Sequence, residues 1–274
     1  MNPLHDTLDL PDLNTVVTRL LAAKRVLVIT GAGISADSGL PTYRGIGGLY
    51  NDQHTDDGLP IEVALSGEVM EAEPSITWKH LAAIEANCRG AHPNAAHKVI
   101  AAMQEVVPTT VLTQNIDGFH RQAGSRDLIE IHGDLFELEC VHCSHHETVA
   151  DYSRFKQLPP PCPHCLGHLR PAVVLFGEAL PRPAIQRLEK VLQEGFDLVF
   201  SIGTTSVFPY IAQPFTAARH FGALAVEINP GDTEVSRHAN VRWRCGAAAA
   251  LERLWQAVSV ARHAAHASRA APQS

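Results

Sequence analysis

Four short runs of β-branched and aliphatic residues punctuate the chain, at 25–30, 109–113, 198–202 and 223–228. Each is too short for a helix and has no polar alternation, the pattern of a strand buried on both faces of a parallel sheet. Glycine or polar residues follow each run, commonly with a helical pattern behind them, as at 184–193. Strands alternating with helices predict a parallel α/β sheet that binds ligands at the C-terminal ends of its strands. Two stretches break the rhythm. From about Gly45 to Gly90 a Gly/Asp-rich loop precedes amphipathic segments near 61–69 and 76–86. From Glu137 to about Arg170 the chain is short of apolar residues and carries cysteines. No internal repeat is present, and residues 262–274 read as a frayed helix or flexible tail.

Length and charge narrow the function classes. A chain of 274 residues suffices for one large domain, or for a domain carrying smaller insertions. No apolar run approaches the roughly 20 residues of a membrane span. The first ten residues lack a basic cluster and an apolar core, so neither a membrane partner nor a signal peptide is expected. A net charge of −7 argues against nucleic acid as a partner.

Cys140, Cys143, Cys162 and Cys165 form two Cys-x-x-Cys knuckles separated by 18 residues. That spacing folds four thiolates around one tetrahedral zinc, and four cysteines leave no open position for catalysis. The zinc is therefore expected to be structural, holding together a Pro-rich stretch that has little core of its own. Free thiols at Cys88 and Cys245 besides these four point to a reducing, cytoplasmic location.

The remaining chemistry clusters after the strands. Gly31, Ala32, Gly33 and Ser35 follow the first run, where glycines admit either a pyrophosphate near a helix N-terminus or an ordinary turn. The next glycine is Gly39, too late for a dinucleotide fingerprint, and Asp52 follows no second strand. Arg44 can pair with phosphate or sit on a solvated loop. Gln114, Asn115, Ile116 and Asp117 end the second run, suiting a ligand with hydroxyls and a carboxamide or a plain polar turn capped by Asp117. His132 lies between Ile131 and Gly133, a setting in which a lone histidine is most often structural.

Taken in order, Gly31-Ala-Gly-Ile-Ser-Ala-Asp-Ser-Gly39, Thr113-Gln-Asn-Ile-Asp117, Ile131-His-Gly133, the four cysteines, Val173-Val-Leu-Phe-Gly-Glu178, Gly203-Thr-Thr205 and Ile228-Asn229 resemble the bacterial-type sirtuins, NAD-dependent protein-lysine deacylases. The likeness spans residues 25 to about 250. It implies a Rossmann-like NAD-binding domain at 13–44, 91–135 and 171–261, a cofactor-loop and helical insertion at 45–90, and a zinc module at 136–170. By resemblance, Gly31 to Ser35 and Arg44 hold the pyrophosphate, with Tyr43 gating the nicotinamide. Gln114 to Asp117 lie beside the nicotinamide ribose and carboxamide. Gly203, Thr204, Thr205, Ser206, Asn229 and Pro230 hold the adenosine half, and the main chain up to Ala247 reaches the adenine. Val174, Phe176, Gly177 and Glu178 contact acyl-lysine along a strand matching 173–178. His132, with Asn115, is implied as catalytic: the acyl oxygen attacks C1′ as nicotinamide leaves, and His132 takes the proton of the ribose hydroxyl that attacks the resulting imidate. Free lysine, nicotinamide and O-acyl-ADP-ribose result. A monomer acting on acyl-lysine proteins is expected.

Two departures shape the expectation. The family's common Pro-Asp-Phe-Arg reads Pro41-Thr-Tyr-Arg44, and Pro209 falls one residue early after the phosphate segment. Family members that prefer succinyl or malonyl lysine carry Tyr-x-x-Arg where this chain has Leu81 and Ile84. These two residues share one helical face, either as core or as pocket wall. With no arginine to pair an acyl carboxylate, neutral acyl groups, acetyl first, are expected. The alternative weighed most closely is mono-ADP-ribosyltransfer at the same NAD site. A nicotinamide-dependent dehydrogenase would need the missing fingerprint, and a nucleic-acid module a basic cysteine loop.

Overall fold

The computed structural model describes residues 8–42 and 55–270, with side chains as far as residue 265. The four apolar runs all form strands. In chain order the strands are β1 (Val26–Thr30), β2 (Thr109–Thr113), β3 (Leu128–Glu130), β4 (Gly133–Cys140), β5 (His146–Thr148), β6 (Leu169–Val173), β7 (Leu198–Ile202), β8 (Leu224–Ile228) and β9 (Val241–Trp243). The α-helices are α1 (Leu13–Ala22), α2 (Ile61–Ala64), α3 (Gly67–Ala72), α4 (Pro74–Cys88), α5 (Ala95–Gln104), α6 (Phe119–Gln122), α7 (Arg182–Glu194), α8 (Pro209–Thr216) and α9 (Ala247–Ala270).

Six strands make a parallel sheet in the order β3-β2-β1-β7-β8-β9. This is the doubly wound arrangement, in which the chain reverses direction beside β1 and leaves a crevice there. Alternation along the strands sends side chains to two cores. Val26 and Val28 join Val111, Phe200 and Val226 under α1, α5 and α9, whereas Leu27 and Ile29 join Leu112, Val199 and Ala225 under α7 and α8. Helix α5 shows how the sequence sets its own limits. Ala96, Val99, Ile100 and Met103 bury one stripe, and Asn94 Oδ1 accepts from the Ala96 amide at 2.9 Å. Such a cap contributes about 1 kcal/mol. Asn94 Nδ2 also donates to the Ile34 carbonyl at 2.7 Å, tying the helix start to the loop after β1.

A second, antiparallel sheet, β5-β4-β6, carries the cysteines. Its core is shared with α3 and α4. Trp78 packs on Tyr152 with ring centroids 5.2 Å apart and donates through Nε1 to the Leu169 carbonyl at 3.0 Å. Leu65, Met70, Leu81, Leu135, Leu138 and Leu175 complete it. The two stretches that read as separate interruptions therefore bury one another. The chain from Arg262 continues α9 as far as Ala270. No helix among the described residues is long and apolar enough to cross a membrane.

Candidate active site and metal centre

The loops leaving β1, β2, β7 and β8 converge on a cleft of about 1000 Å³ between the two sheets. Its floor depends on close backbone contact. Gly33 N–H donates to the Gly203 carbonyl at 2.8 Å, and a Cβ on Gly33 would fall 2.7 Å from Gly203 Cα. Gly203 itself has φ +59°, and a Cβ there would lie 2.4 Å from the Ile34 nitrogen. These glycines are needed first for chain-on-chain approach. Of the two readings left open, a helix start or a turn, the described residues show turns: Ala32–Ile34 and Ala36–Ser38 are single 3₁₀ turns. Their loop geometry is set by the neighbouring β7 loop, which short-range sequence does not report.

Side-chain amides and hydroxyls knit the loops together. Gln114 Nε2 donates to Thr204 Oγ1 at 2.8 Å, and Asn115 Nδ2 donates to the Gly31 carbonyl at 3.2 Å. Ser35 Oγ donates to Asp117 Oδ2 at 2.7 Å, while Asp117 Oδ1 accepts from the Phe119 amide at 3.0 Å. Burial pushes the Asp117 carboxyl above its usual range, against the Ser35 bond. Asn229 Nδ2 donates to the Thr204 carbonyl at 3.2 Å.

Gly31, Ala32, Gly33, Gln114, Asn115, Ile116, Gly203, Thr204, Thr205, Asn229, Pro230 and Ala247 all line the cleft. Ser35 and Asp117 instead line a recess off it, together with Asn115, Ile116 and Cys88. Ser206 lines neither; it is buried in a left-handed conformation (φ 55°), and its Oγ has no hydrogen-bond partner among the described residues. Tyr43 and Arg44 lie outside the described residues.

His132 sits where the two sheets meet. Gly133 (φ +81°) lets β4 pass β6 so closely that a Cβ would fall 1.9 Å from the Ala172 carbonyl oxygen. Ile131 is anchored by its amide to the Thr113 carbonyl at 3.0 Å. The imidazole is thereby fixed at the cleft wall, with Nδ1 3.0 Å from the Gln114 carbonyl and Nε2 2.8 Å from the Tyr210 hydroxyl. A carbonyl only accepts, so Nδ1 carries the proton of the neutral ring and Nε2 keeps its lone pair. Burial lowers the His132 pKa, opposed by the Gln114 carbonyl. A neutral, basic nitrogen at the cleft is suited to taking a proton from a bound hydroxyl.

Beyond His132 the cleft turns apolar, walled by Leu65, Leu81, Ile84, Val173, Leu175 and Phe176, with Val174, Gly177 and Glu178 at its edge. The strand expected over 173–178 stops at Val173. Residues 174–178 are held by contacts outside the ladder of β6. Val174 N–H donates to the His132 carbonyl at 2.9 Å, and Phe176 bridges Leu65 and Gly67. The Glu178 carboxylate accepts both Arg170 Nη1 (2.7 Å) and Nη2 (3.0 Å), which braces this segment on the cysteine module. Leu81 is fully buried and shared between core and pocket, while Ile84 is partly buried.

Sequence reasoning missed three further features. Tyr210 and Phe208 stack 5.4 Å apart beside His132. Thr30, Thr113 and His120 form a buried chain, Thr30 Oγ1 standing 2.8 Å from Thr113 Oγ1 and 2.9 Å from His120 Nε2. His97 packs on His120 at 4.9 Å. The Pro93-Asn94-Ala-Ala-His97 motif was the available signal for His97; nothing local marks Tyr210.

The cysteine sulfurs lie within 4.8 Å of one another, with Cys140 to Cys165 at 3.5 Å and Cys143 to Cys162 at 3.7 Å. Tetrahedral Zn–S bonds of ~2.3 Å require S–S separations of about 3.8 Å, so the set fits zinc. The amides of His142, His164 and Gly167 donate to Cys140, Cys162 and Cys165 at 3.3–3.4 Å, stabilising thiolate charge. Among the described residues no other cluster of three or more such ligands forms. The metal site is closed and does not open into the cleft.

Comparison with known proteins agrees with this geometry. Residues 31–209 match the Sir2 family. NAD-dependent protein deacylase 2 of Pseudomonas aeruginosa is 52% identical over 231 residues, covering 83% of this chain and 90% of the relative. The NAD-dependent protein deacylase of Aquifex aeolicus is 35% identical, covering 84% and 93%. A Sir2 homologue solved as its NAD complex superposes with TM-score 0.80 at 30% identity, covering 90% and 94%. Another, solved with a deacetylated peptide and 3′-O-acetyl-ADP-ribose, gives 0.78 at 26% identity, covering 89% and 97%. With the family match across most of the chain, and half the residues shared with a relative over nearly its whole length, this protein belongs to the Sir2 family.

Proposed function

We propose that the protein is an NAD-dependent deacylase that removes neutral acyl groups, acetyl first, from lysine side chains of other proteins. The carrying observation is His132. A neutral imidazole with its lone pair at the cleft wall stands between a polar, dinucleotide-sized region and an apolar channel. The polar lining suits NAD as co-substrate: main chain around Gly31–Gly33 and Gly203–Thr205, and the side chains of Gln114, Asn115 and Asn229. NAD supplies the glycosidic bond whose cleavage activates the otherwise inert acyl amide. The protein's part is to hold both partners in line, exclude water at the apolar end and take one proton at His132. Asn115 orders the loops, and Val174, Phe176, Gly177 and Glu178 form the substrate edge. Leu81 and Ile84 leave an acyl carboxylate without a counter-charge, which favours neutral chains. Structural zinc takes no part in the reaction. In this reading the parallel-sheet unit (13–44, 91–135 and 171–261) binds NAD, 45–90 and 136–170 frame the substrate, and 262–274 form a terminal extension. The enzyme works as a cytoplasmic monomer without nucleic-acid partners.

The test is nicotinamide release from NAD, followed by mass spectrometry, with acetyl-, succinyl- and long-chain-acyl-lysine peptides. Release that requires a neutral acyl peptide, with O-acyl-ADP-ribose formed in step, supports the reading. Release without an acyl peptide, with mass added to a protein acceptor, replaces it by ADP-ribosyltransfer.

A further inference from the structure

We propose that Tyr210 is a second proton-handling residue of the site, carrying the proton between the reacting hydroxyl and His132. The inference rests on His132 being the base. Because the Gln114 carbonyl can only accept, Nδ1 is the protonated nitrogen and the Nε2 lone pair must receive the Tyr210 hydroxyl proton at 2.8 Å. That lone pair is the one position at which neutral His132 can take a proton, and the phenol occupies it. Tyr210 in turn lines the cleft. A proton bound for His132 therefore passes through the phenol. The Tyr210 O–H proton moves to Nε2 as the oxygen takes one from the incoming hydroxyl. One N–H bond forms, one substrate O–H bond breaks, and the phenol is neutral before and after.

The placement is built. Tyr210 stands in the first turn of α8, directly behind the Gly203–Ser206 loop. Its ring stacks on Phe208 within 11° of parallel, and both rings meet the imidazole edge-on with centroids 5.9 Å away. Two hydrogen bonds and two aromatic edges thus fix the imidazole. The loop that carries Thr204 and Thr205 leads directly into the helical turn that carries the donor to the base. Tyr210 is the one titratable side chain hydrogen-bonded to His132 among the described residues.

Tyr210→Phe removes the hydroxyl and keeps the stacked ring. The expected result is a loss of about tenfold or more in O-acyl product formation, with exchange of labelled nicotinamide into NAD kept within about twofold, because exchange precedes the base-dependent step. The acid limb of the rate profile should move to higher pH, since the lost donor stabilised neutral imidazole. Unchanged product formation, or equal loss of both activities with weakened NAD binding, would overturn the inference. Imidazole ¹⁵N NMR reads the contact without turnover. The His132 pKa should rise in Tyr210→Phe, and no change would overturn the proposal whatever the enzyme's activity. Wild-type protein that forms no O-acyl product would instead defeat the deacylase reading, and is recognised as such before the variant is compared.

Discussion

At the scale of single residues, His132 draws its properties from two neighbours remote in sequence and from burial. The Gln114 carbonyl sets its tautomer, the Tyr210 hydroxyl meets its free nitrogen, and burial keeps it neutral. His132→Ala is expected to cut deacylation by at least about a hundredfold, with zinc content and circular dichroism unchanged. Undiminished product formation would remove His132 from the mechanism. In the proposed reaction the base acts deprotonated and burial lowers the His132 pKa, so activity should hold to below the ordinary value of about 6.5 before falling with acid. The motif Ile131-His-Gly133 was legible as a motif, but read alone it favoured a structural histidine. Only the passage of β4 beside β6 shows why glycine must follow.

Elements decide which substrates can enter. Helix α4 contributes Ile84 to the apolar wall one turn beyond Leu81, so one face serves both core and pocket. The double change Leu81→Tyr with Ile84→Arg should lower kcat/KM for acetyl-lysine peptides and raise the succinyl-to-acetyl ratio by about tenfold or more, as an arginine supplies the missing counter-charge. A ratio that does not move would place these residues in the core alone. The β1 and β7 loops carry a different constraint. Gly33→Ala would press a methyl group 2.7 Å from Gly203 Cα. Backbone cannot yield there cheaply, and a loss of about 2–4 kcal/mol in urea unfolding is expected. Full stability in Gly33→Ala would show that the loops separate freely. Strands β1, β2, β7 and β8 were readable from runs of β-branched and aliphatic residues. The 3₁₀ turns and the end of β6 at Val173 were not, because each is set by hydrogen bonds to distant segments.

Across the whole molecule, two devices hold the smaller module together: the metal knuckles and the core that packs Trp78 on the Leu169 strand. Cys140→Ser should lower bound zinc, measured by atomic absorption, together with the melting temperature. A metal-free preparation that melts normally would refute the structural role. Stability should also depend on acid through buried histidine. Burial holds His97 at about 4 against 6.5 in the unfolded chain, so the unfolded state takes up the proton first. Its contribution is therefore intact above about pH 6.5 and lost as pH falls towards 4, a difference of about 3 kcal/mol. Asp117, with its raised pKa, acts in the opposite sense. Comparing urea unfolding of His97→Gln and wild type at pH 7 and 4.5 isolates the histidine; equal slopes would disprove its part. By itself, the sequence determined the four central strands, the four paired cysteines and the ordered motifs, because each is written in residues close together along the chain. Tertiary structure alone decided that the helical and cysteine segments share a core, that Glu178 pairs with Arg170, and that Tyr210 meets His132. Those contacts join residues 8 to 91 positions apart, and their partners are chosen by how the two sheets pack.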